Sequence, residues 1–341
     1  MINDPVKSVR NVVNSPSVLS QLINNKTQNL NYQGIHFSLL PTFTSEPARR
    51  ASYLINSGDG IKYFFKVNDF TMKIRNEKRA FDLIMHSGVG DFNVPNILDF
   101  DFDVFWGQDD NQTCSWILEE WVDGQHVQPE NGQQIDLAAT LLSKINSLSV
   151  DINAIPGLSE LALTNPDEVA NNARRDMAAV LEKTLGLARG PIIVEFSRAL
   201  DRLNINFCPF MLNLNHGDFH FKNILLSGSS ANYIPTIIDW EDIALENPMY
   251  DLAHFLIVES PETHIPFLKT YFQEGRDLFV KYSQAEISEM LVLMYTFWLA
   301  KILRWKSKKE NFSEIVDESC SRFYSQLKRI MGLPWKSIIT Y

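Results

Sequence analysis

The stretch LNLNHGDFHFKNILL, residues 212–226, concentrates polar side chains between two apolar runs. His216, Asp218 and Asn223 fall close together in it, and the flanking apolar residues predict that both ends of the segment are buried. A single polar residue in such a setting is usually a satisfied core or turn residue. The density of polar residues here, together with the segment that follows, favours a functional loop.

A second acidic segment, IPTIIDWED at residues 234–242, follows after a turn with the sequence SGSSAN. Its isoleucines predict a buried strand, and Asp239 stands at the end of that strand, where an ionised carboxylate needs a partner or a metal. The side-chain oxygens of Asn223 and Asp239 are hard ligands that suit Mg²⁺ when a phosphate completes its coordination. Asp218, five residues before Asn223, is in a position to accept a proton from a hydroxyl group.

The combined pattern resembles the aminoglycoside phosphotransferase and choline kinase family, the small-molecule relatives of protein kinases. It consists of H-G-D-x-x-x-x-N at residues 216–223, I-D-W-E at residues 238–241 and P-x-Y-D-L-A at residues 248–253. Protein kinases share the D-x-x-x-x-N spacing and the strand-borne aspartate that follows it. The resemblance implies an α+β, two-lobe protein-kinase-like fold, with a small β-rich N-lobe that contains one key helix and a larger, mostly α-helical C-lobe.

The resemblance also implies a role for each matching position. Asp218 would be the catalytic base that orients the acceptor hydroxyl, and Asn223 and Asp239 would be the Mg²⁺ ligands. Asp251 would brace the catalytic loop from the next helix. His220 stands where protein kinases carry a lysine near the transferred phosphate, so that a phosphate contact and a purely structural role are both open.

A lysine and a glutamate upstream complete the kinase pattern. In IKYFFKV, residues 61–67, Lys66 is the lysine nearest the apolar end of a predicted strand, and a buried ammonium needs an anionic partner. Glu77 follows eleven residues later in a helix predicted over residues 75–88. A strand lysine followed by a helix glutamate is common by itself, but upstream of the catalytic pattern it indicates a phosphate-binding Lys66 held by Glu77.

The stretch WILEEWVDG, residues 116–124, resembles the hinge of this family, whose backbone groups hydrogen-bond the purine. The alternative is an edge strand that ends in a turn. The backbone groups would come from Glu119, Glu120, Trp121 and Val122. We therefore expect an N-terminal nucleotide-binding lobe at residues 1–121, with the hinge at about residues 118–124, and a C-terminal catalytic and substrate-binding lobe at residues 125–341.

The sequence departs from the family pattern at two places. The loop expected to cover the nucleotide, within residues 39–55, contains no glycine, although glycine lets backbone N–H groups approach phosphates closely. Ser45, Arg49 or Arg50 would contact phosphate instead, unless the two arginines are solvated surface charges. Relatives commonly carry Leu-His in the first helix after the hinge, where this chain has Ile145-Asn146. These departures leave the acceptor substrate open.

The balance of charged residues limits the kinds of molecule that the protein is expected to bind. Lys and Arg total 31 against 41 Asp and Glu, which gives a formal net charge of -10 and argues against nucleic-acid or anionic-membrane partners. Three widely spaced cysteines, and a start without the apolar core of a signal peptide, predict a cytoplasmic protein. The sequence leaves open whether it is a monomer or a homodimer. The longest apolar run, residues 290–300, is too short to span a bilayer and predicts a buried helix.

The sequence thus predicts an ATP-dependent kinase, with GTP not excluded, that phosphorylates a hydroxyl group of a small molecule. The acceptor classes left open are aminoglycosides, amino alcohols, amino-acid or sugar hydroxyls and natural-product intermediates. An acidic and aromatic acceptor lining would suit an amine, and its candidates are Glu241, Asp242, Glu246, Glu259, Tyr295, Trp298 and Trp305. One alternative is a non-catalytic pseudokinase or interaction module, although no functional position is degenerate; another is a protein kinase, which the missing D-F-G argues against.

Overall fold

The structure is a computed structural model of the chain. It describes residues 5–23, 29–32, 35–39, 50–56, 60–88, 90–105, 113–148, 166–184, 212–229 and 232–307, together with positions 194, 198, 325, 329, 332 and 338. Most of the predicted nucleotide-covering loop, with Ser45 and Arg49, lies outside these residues. The apolar spacing of PIIVEFSRALDRLN predicts a helix over residues 191–204, and most of this segment also lies outside the described residues. No helix among the described residues is long and apolar enough to cross a membrane.

The chain divides into two compact units, of which the first comprises residues 1–125 and 225–242 and the second residues 126–224 and 243–341. The segment 225–242 belongs to the first unit, whereas the sequence analysis assigned it to the C-terminal lobe. The backbone explains this grouping, because Asn93 donates to the Pro235 carbonyl at 2.8 Å and accepts from the Ile237 N–H at 2.9 Å. Asn93 lies in the first part of the first unit, and these bonds connect it to Pro235 and Ile237 of the segment 225–242.

The first unit contains a six-stranded sheet with the strand order β1-β2-β3-β4-β6-β5. Each pair of neighbouring strands in this order is antiparallel. The strands are β1 (Asn29–Tyr32), β2 (Ile35–Leu39), β3 (Arg50–Asn56), β4 (Lys62–Asn68), β5 (Ile97–Phe105) and β6 (Thr113–Glu120). The register places Lys66 of β4 opposite Ile117 of β6, and Phe64 opposite Glu119.

Two N-terminal helices, α1 (Pro5–Val13) and α2 (Pro16–Ile23), help to form the apolar core of the first unit. The sequence SPSVLSQLINN, with Ser15 as a possible N-cap and Pro16 at the first helical position, predicts only the second of them, over residues 15–25. The valines of α1 repeat at three- and four-residue spacing, and Val9, Val12 and Val13 are fully buried, so that this short helix is stabilised by packing rather than by intrinsic propensity. Leu19 of α2 is also fully buried.

The key helix of the first unit is α3 (Thr71–Ser87), which ends at Gly88 in the left-handed conformation. Its buried stripe repeats at helical spacing and includes one charged residue, Glu77. The neighbours of Glu77 in that stripe are Ile74, Ala80, Leu83 and Ile84. The stripe brings the Glu77 carboxylate to the face of the sheet that carries the Lys66 side chain. It thereby positions one part of the candidate site.

The second unit is mainly helical. Its helices are α4 (Gly132–Ser147), α5 (Pro166–Thr184), α6 (Met249–Val258), α7 (Pro261–Glu274), α8 (Arg276–Phe279) and α9 (Gln284–Lys306). The long helix α9 packs against α5 and α6, and α4 packs against α7. The predicted helical run at residues 290–300 is the buried middle of α9.

Short strands frame the polar loop. The strand β7 (Gln125–His126) begins the segment after the hinge, and β8 (Asn213–Asn215) leads into the loop. A hairpin of β9 (Ile224–Ser229) and β10 (Asn232–Ile237) follows the loop, and β11 (Ala244–Glu246) pairs with β8 in antiparallel fashion. The strands β10, β9 and β7 form a three-stranded sheet. The α+β class predicted from the sequence is confirmed.

Candidate active site

The first group of site residues surrounds Lys66 in the first unit. Its Nζ donates to Glu77 Oε1 at 2.5 Å and to Asp239 Oδ1 at 3.0 Å. Lys66 and Glu77 are only 8% and 4% exposed. Burial alone would lower the pKa of Lys66, but the surrounding carboxylates, with Asp239 the strongest, raise it well above its ordinary value. Lys66 is therefore a permanent cation held by two carboxylates.

Asp239 has an unusual backbone, with a φ of 65°. Residues other than glycine are uncommon in this left-handed region, although aspartate and asparagine are the side chains that tolerate it best. Its side chain is 37% exposed, so that part of the carboxylate that Lys66 contacts remains open. A residue held in a costly conformation next to a buried ion pair is a feature of functional sites.

The turn after Asp239 is tied to α3 by contacts that the sequence analysis did not identify. Lys73 donates to the Asp242 carboxylate and lies 3.7 Å from Glu241 Oε1. Asn76 Nδ2 donates to the Glu241 carbonyl at 3.3 Å. Glu241 and Asp242, which were candidates for the acceptor lining, are therefore engaged by α3 in the first unit. The i, i+4 spacing of Lys73 and Glu77 was the available signal, because it places both on one face of the helix.

Glu119 contributes a further carboxylate to the first group. It is 4% exposed, and burial, with Asp239 adding to it, raises its pKa although Lys66 acts in the opposite direction. The pKa of Glu77 is likewise raised by burial and by Glu119, although Lys66 lowers it. The 2.5 Å contact between Lys66 Nζ and Glu77 Oε1 is that of an ion pair. The site thus holds more carboxylates than ammonium groups.

Two N–H groups of the predicted hinge are already hydrogen-bonded. The Glu120 N–H donates to the Asn96 carbonyl at 2.9 Å, and the Trp121 N–H donates to the Lys62 carbonyl at 3.4 Å. The Val122 N–H has no acceptor among the described residues. Of the hinge N–H groups that the sequence suggested after the end of β6, only this one is left for a ligand.

The second group of site residues is the loop after β8, in the second unit. His216 is fully buried, and its Nδ1 accepts the Asp218 N–H at 3.2 Å. Gly217 between them has a φ of 87°, which explains why glycine stands there. His216 is therefore an internal brace of the loop, and Asp218 is the side chain that the turn presents.

Asp251 of α6 supports this loop by hydrogen bonds to its backbone. Its two carboxylate oxygens accept the N–H groups of His216 at 2.6 Å and of Gly217 at 2.8 Å. Burial raises the pKa of Asp251 to about 7, although these two N–H groups lower it. The bracing role that the resemblance implied for Asp251 is thus visible in the hydrogen bonds.

Asn223 is oriented by the same loop. Its Nδ2 donates to the Asp218 carbonyl at 2.9 Å and lies 3.5 Å from Asp218 Oδ2. Its Oδ1 accepts no hydrogen bond from any described residue. With the amide nitrogen engaged by the loop, the amide oxygen is the atom left for a ligand.

Two histidines flank the Asp218 carboxylate. The Nε2 atoms of His220 and His254 lie 3.7 Å and 3.6 Å from its oxygens. Burial would raise the pKa of Asp218, but the neighbouring histidines lower it below its ordinary value. Asp218 is therefore an ionised carboxylate and an acceptor for a proton.

His220 also caps the short 3-10 helix Phe221–Asn223, because its Nδ1 accepts the Lys222 N–H at 3.1 Å. A structural role for His220 is thus observed, and a phosphate contact remains a prediction. The sequence analysis did not identify His254, which packs against Trp298 with ring centroids 4.5 Å apart. No local signal marks His254, since it approaches Asp218 only through the packing of α6.

Asn146, where relatives carry histidine, supports the strand that leads into the loop. Its Nδ2 donates to the Leu214 carbonyl at 2.8 Å, and its own carbonyl accepts from Asn213 Nδ2 at 2.8 Å. The hydroxyl of Tyr271 donates to Asn146 Oδ1 at 2.8 Å. At this departure from the family pattern, the chain therefore has a buried asparagine that is hydrogen-bonded through its amide nitrogen and its amide oxygen.

The remaining candidates for the acceptor lining have different environments in the second unit. Glu259 accepts the Phe221 N–H at 2.9 Å, so that its carboxylate helps to fix the loop. Glu246 and Tyr295 are buried at 3% and 0% exposure, whereas Trp305 is 40% exposed. Trp298 is the candidate that the structure links most directly to Asp218, through His254.

Comparisons with known proteins place this arrangement in a family. The family model described as the phosphotransferase enzyme family matches residues 44–284. No curated protein matches the sequence significantly.

Solved structures share the fold. An ethanolamine kinase from Plasmodium vivax has a TM-score of 0.55 and 14% identity, covering 99% of this chain and 97% of its own. A spectinomycin phosphotransferase, solved with ADP and spectinomycin, has a TM-score of 0.61 and 14% identity, covering 92% and 98%. An aminoglycoside phosphotransferase, solved with GDP and kanamycin, has a TM-score of 0.56 and 14% identity, covering 92% and 98%. The family match spans more than half of the chain. The protein therefore belongs to the phosphotransferase enzyme family, and it has that family's protein-kinase-like fold.

Proposed function

We propose that the protein is an ATP-dependent kinase that transfers the γ-phosphoryl group to a hydroxyl group of a small molecule in the cytoplasm. The observation that carries this proposal is the buried Lys66, held at 2.5 Å by Glu77 and at 3.0 Å by Asp239. Such a permanent cation is suited to binding nucleotide phosphates. The hinge residues Glu119 to Val122 would receive the base.

Asp218 is proposed as the catalytic base. The acceptor hydroxyl donates its proton to the Asp218 carboxylate as its oxygen bonds to the γ-phosphorus, and the bond from that phosphorus to the β,γ-bridging oxygen breaks to release ADP. The low pKa of Asp218 keeps the carboxylate in the accepting form. The two histidines and the Asn223 amide orient it, which is consistent with catalysis mainly by positioning and electrostatics.

The donor atoms present fit Mg²⁺. Asn223 Oδ1 has no described hydrogen-bond donor, and the Asp239 carboxylate is partly exposed, so both offer the oxygen ligands that this cation prefers. No group of three or more His, Cys, Asp and Glu among the described residues forms a ready-made metal cage. Asn223 and Asp239 would hold Mg²⁺ together with nucleotide phosphates, and the bound ion would neutralise phosphate charge. His220 would approach the same phosphates.

The acceptor is proposed to be a small polar alcohol such as an aminoglycoside, an amino alcohol or a natural-product intermediate. The ethanolamine kinase, the spectinomycin phosphotransferase and the kanamycin-bound enzyme that share the fold support this range. The alternative of a non-catalytic pseudokinase receives no support, because Lys66, Asp218, Asn223 and Asp239 are all present and oriented.

The test is an ADP-release screen over aminoglycosides, amino alcohols, sugars and hydroxy amino acids, in the presence of Mg²⁺. We expect one class to raise ADP release well above the rate without acceptor. Asp218→Asn should lower that rate by about 10²- to 10⁴-fold, the usual contribution of a positioned base, and leave the Kd for ATP unchanged. Undiminished turnover in Asp218→Asn would remove the proposed base. A wild-type protein that binds ATP but turns over none of the classes would favour the pseudokinase.

A further inference from the structure

Glu119 carries a buried carboxylate for which the proposed function has no use. The residue is 4% exposed, and its carboxylate accepts no hydrogen bond from any described residue. Lys66, the cation that lowers the pKa of Glu119, donates to Glu77 and Asp239 instead. The Glu119 oxygens are not among the fully buried, unpaired side-chain atoms of the described residues, so the carboxylate faces an opening in which a ligand can supply a hydrogen-bond donor.

The register of the sheet fixes the direction of the Glu119 side chain. Glu119 is paired with Phe64, two residues from Lys66 on β4, and alternation along a strand puts all three on one face. The intervening Leu118 projects to the other face, where it is buried in the apolar core with α1 and α2. The carboxylate therefore lies on the phosphate-binding side of the sheet rather than in the core.

The backbone next to Glu119 offers one complementary group. The N–H groups of Glu120 and Trp121 are engaged by carbonyl oxygens, whereas the Val122 N–H has no described acceptor. A planar base at the end of β6 would thus meet one donor, the Val122 N–H, and one strong acceptor, the Glu119 carboxylate. This donor and acceptor pair is a recognition pattern for the edge of a purine.

We propose that the Glu119 side chain selects a 6-aminopurine nucleotide, ATP, against 6-oxopurine nucleotides such as GTP and ITP. The 6-amino group is a hydrogen-bond donor that satisfies the carboxylate, whereas the 6-oxo group is an acceptor and opposes it. A site built around a buried polar group discriminates strongly, because the wrong ligand leaves that group unpaired. This inference rests on the proposed function and deepens it by assigning the donor base.

The first test uses the wild-type protein and four nucleotides in the presence of Mg²⁺. ATP carries the 6-amino group, purine riboside triphosphate has no 6-substituent, ITP has a 6-oxo group, and GTP adds a 2-amino group to the 6-oxo base. We expect calorimetry to give a Kd for ATP about 10²-fold below that for ITP, with purine riboside triphosphate between them. A similar Kd for ITP and GTP would show that the 6-substituent of the base, and not its 2-amino group, determines the affinity.

The second test is Glu119→Gln, whose amide can turn its NH₂ group toward a 6-oxo oxygen. We expect the ratio of the ITP and ATP Kd values to fall at least about tenfold, the loss of roughly one charge-assisted hydrogen bond. Glu130→Gln, the same change at an exposed residue of the second unit, is the matched control and should leave the ratio unchanged. Thermal unfolding checks that both variants fold.

The outcomes separate the two proposals. Wild-type Kd values for ATP and ITP within about threefold of each other would overturn the role of Glu119 and leave the kinase assignment intact, since one lost hydrogen bond to a charge costs more than that. An unchanged ratio in folded Glu119→Gln would overturn it as well. If that variant does not fold, the Kd values of the wild-type protein for the four nucleotides test the role of Glu119 by themselves. Binding of none of the four nucleotides would overturn the proposed function and this inference together.

Discussion

The backbone of Asp239 lies in the left-handed region, and the same is true of one other described non-glycine residue, Asp103, with φ values of 65° and 58°. The two differ in what their side chains contact. Asp239 contacts the buried ammonium of Lys66, whereas Asp103 forms an ion pair with Arg75 at the surface. Strain that persists beside a buried ion pair indicates that the orientation of the Asp239 carboxylate is needed there.

We expect Asp239→Asn to weaken binding of ATP in the presence of Mg²⁺ by at least about tenfold, because an amide is a poorer ligand than a carboxylate for a hard cation. Binding of ATP without Mg²⁺ should change less, since Lys66 keeps Glu77 as its partner. Calorimetry with and without Mg²⁺ measures both values. Asp103→Asn is the matched control, because it makes the same change at the other left-handed aspartate. Equal losses under the two conditions would contradict a metal-ligand role for Asp239.

Residue patterns in the sequence indicate some of these contacts and not others. The partnership of Lys66 and Glu77 is predictable, because strand alternation and helical spacing put both on facing sides of adjacent elements. The bond between Lys73 and Asp242 joins residues 169 positions apart, and the approach of His254 to Asp218 depends on how α6 packs. Contacts of this kind follow from tertiary packing, and no local pattern encodes them.

At the scale of elements, the loop before Asn223 depends on α6 for its shape. Asp251 accepts two backbone N–H groups of the loop at once, from His216 and Gly217. Because Gly217 has a φ of 87°, the turn has little intrinsic preference for this conformation and requires an external support. A change in α6 should therefore reach Asp218 through the backbone of the loop, without any contact to a substrate.

We expect Asp251→Asn to destabilise the second unit by about 1–3 kcal/mol, because an amide accepts one of the two N–H bonds and leaves a buried donor unpaired. Turnover should fall, while the Kd for ATP changes little. Thermal unfolding and steady-state kinetics measure these effects. Asp277→Asn, on the exposed surface of α8, is the matched control. Wild-type stability in Asp251→Asn would show that the loop does not need this support.

At the scale of the whole molecule, the α+β class and most of the strands follow from the sequence, because period-2 alternation in β4 and helical spacing in α4 are strong signals. The grouping of residues 225–242 with the first unit does not follow from it. That grouping involves contacts between distant parts of the chain, such as the backbone pairing of Asn93 with Thr236 and the contacts of Lys66 and Lys73 with the segment after β10. Division by function into nucleotide and substrate lobes remains a prediction.

The stability of the second unit should depend on pH near neutrality. Glu246 is 3% exposed, its Oε1 is buried without a hydrogen bond, and burial raises its pKa to about 7 although the Asn247 N–H lowers it. A carboxyl group whose pKa is raised on folding stabilises the folded state below its unfolded pKa, and this stabilisation is lost as the pH rises through the folded pKa. Asp251, whose pKa burial also raises to about 7, acts in the same direction.

We expect the free energy of unfolding to fall between pH 5 and pH 8, and Glu246→Gln to make this fall smaller, because glutamine cannot ionise. The shift from 4.5 to about 7 sets an upper limit of about 3 kcal/mol for the contribution of Glu246. Urea unfolding at a series of pH values measures the slope in both proteins. Glu274→Gln, at an exposed position of α7, should keep the wild-type slope. If Glu246→Gln and the wild type lose stability in parallel up to pH 8, Glu246 does not titrate in this range, and the pH dependence must come from Asp251 or from other groups.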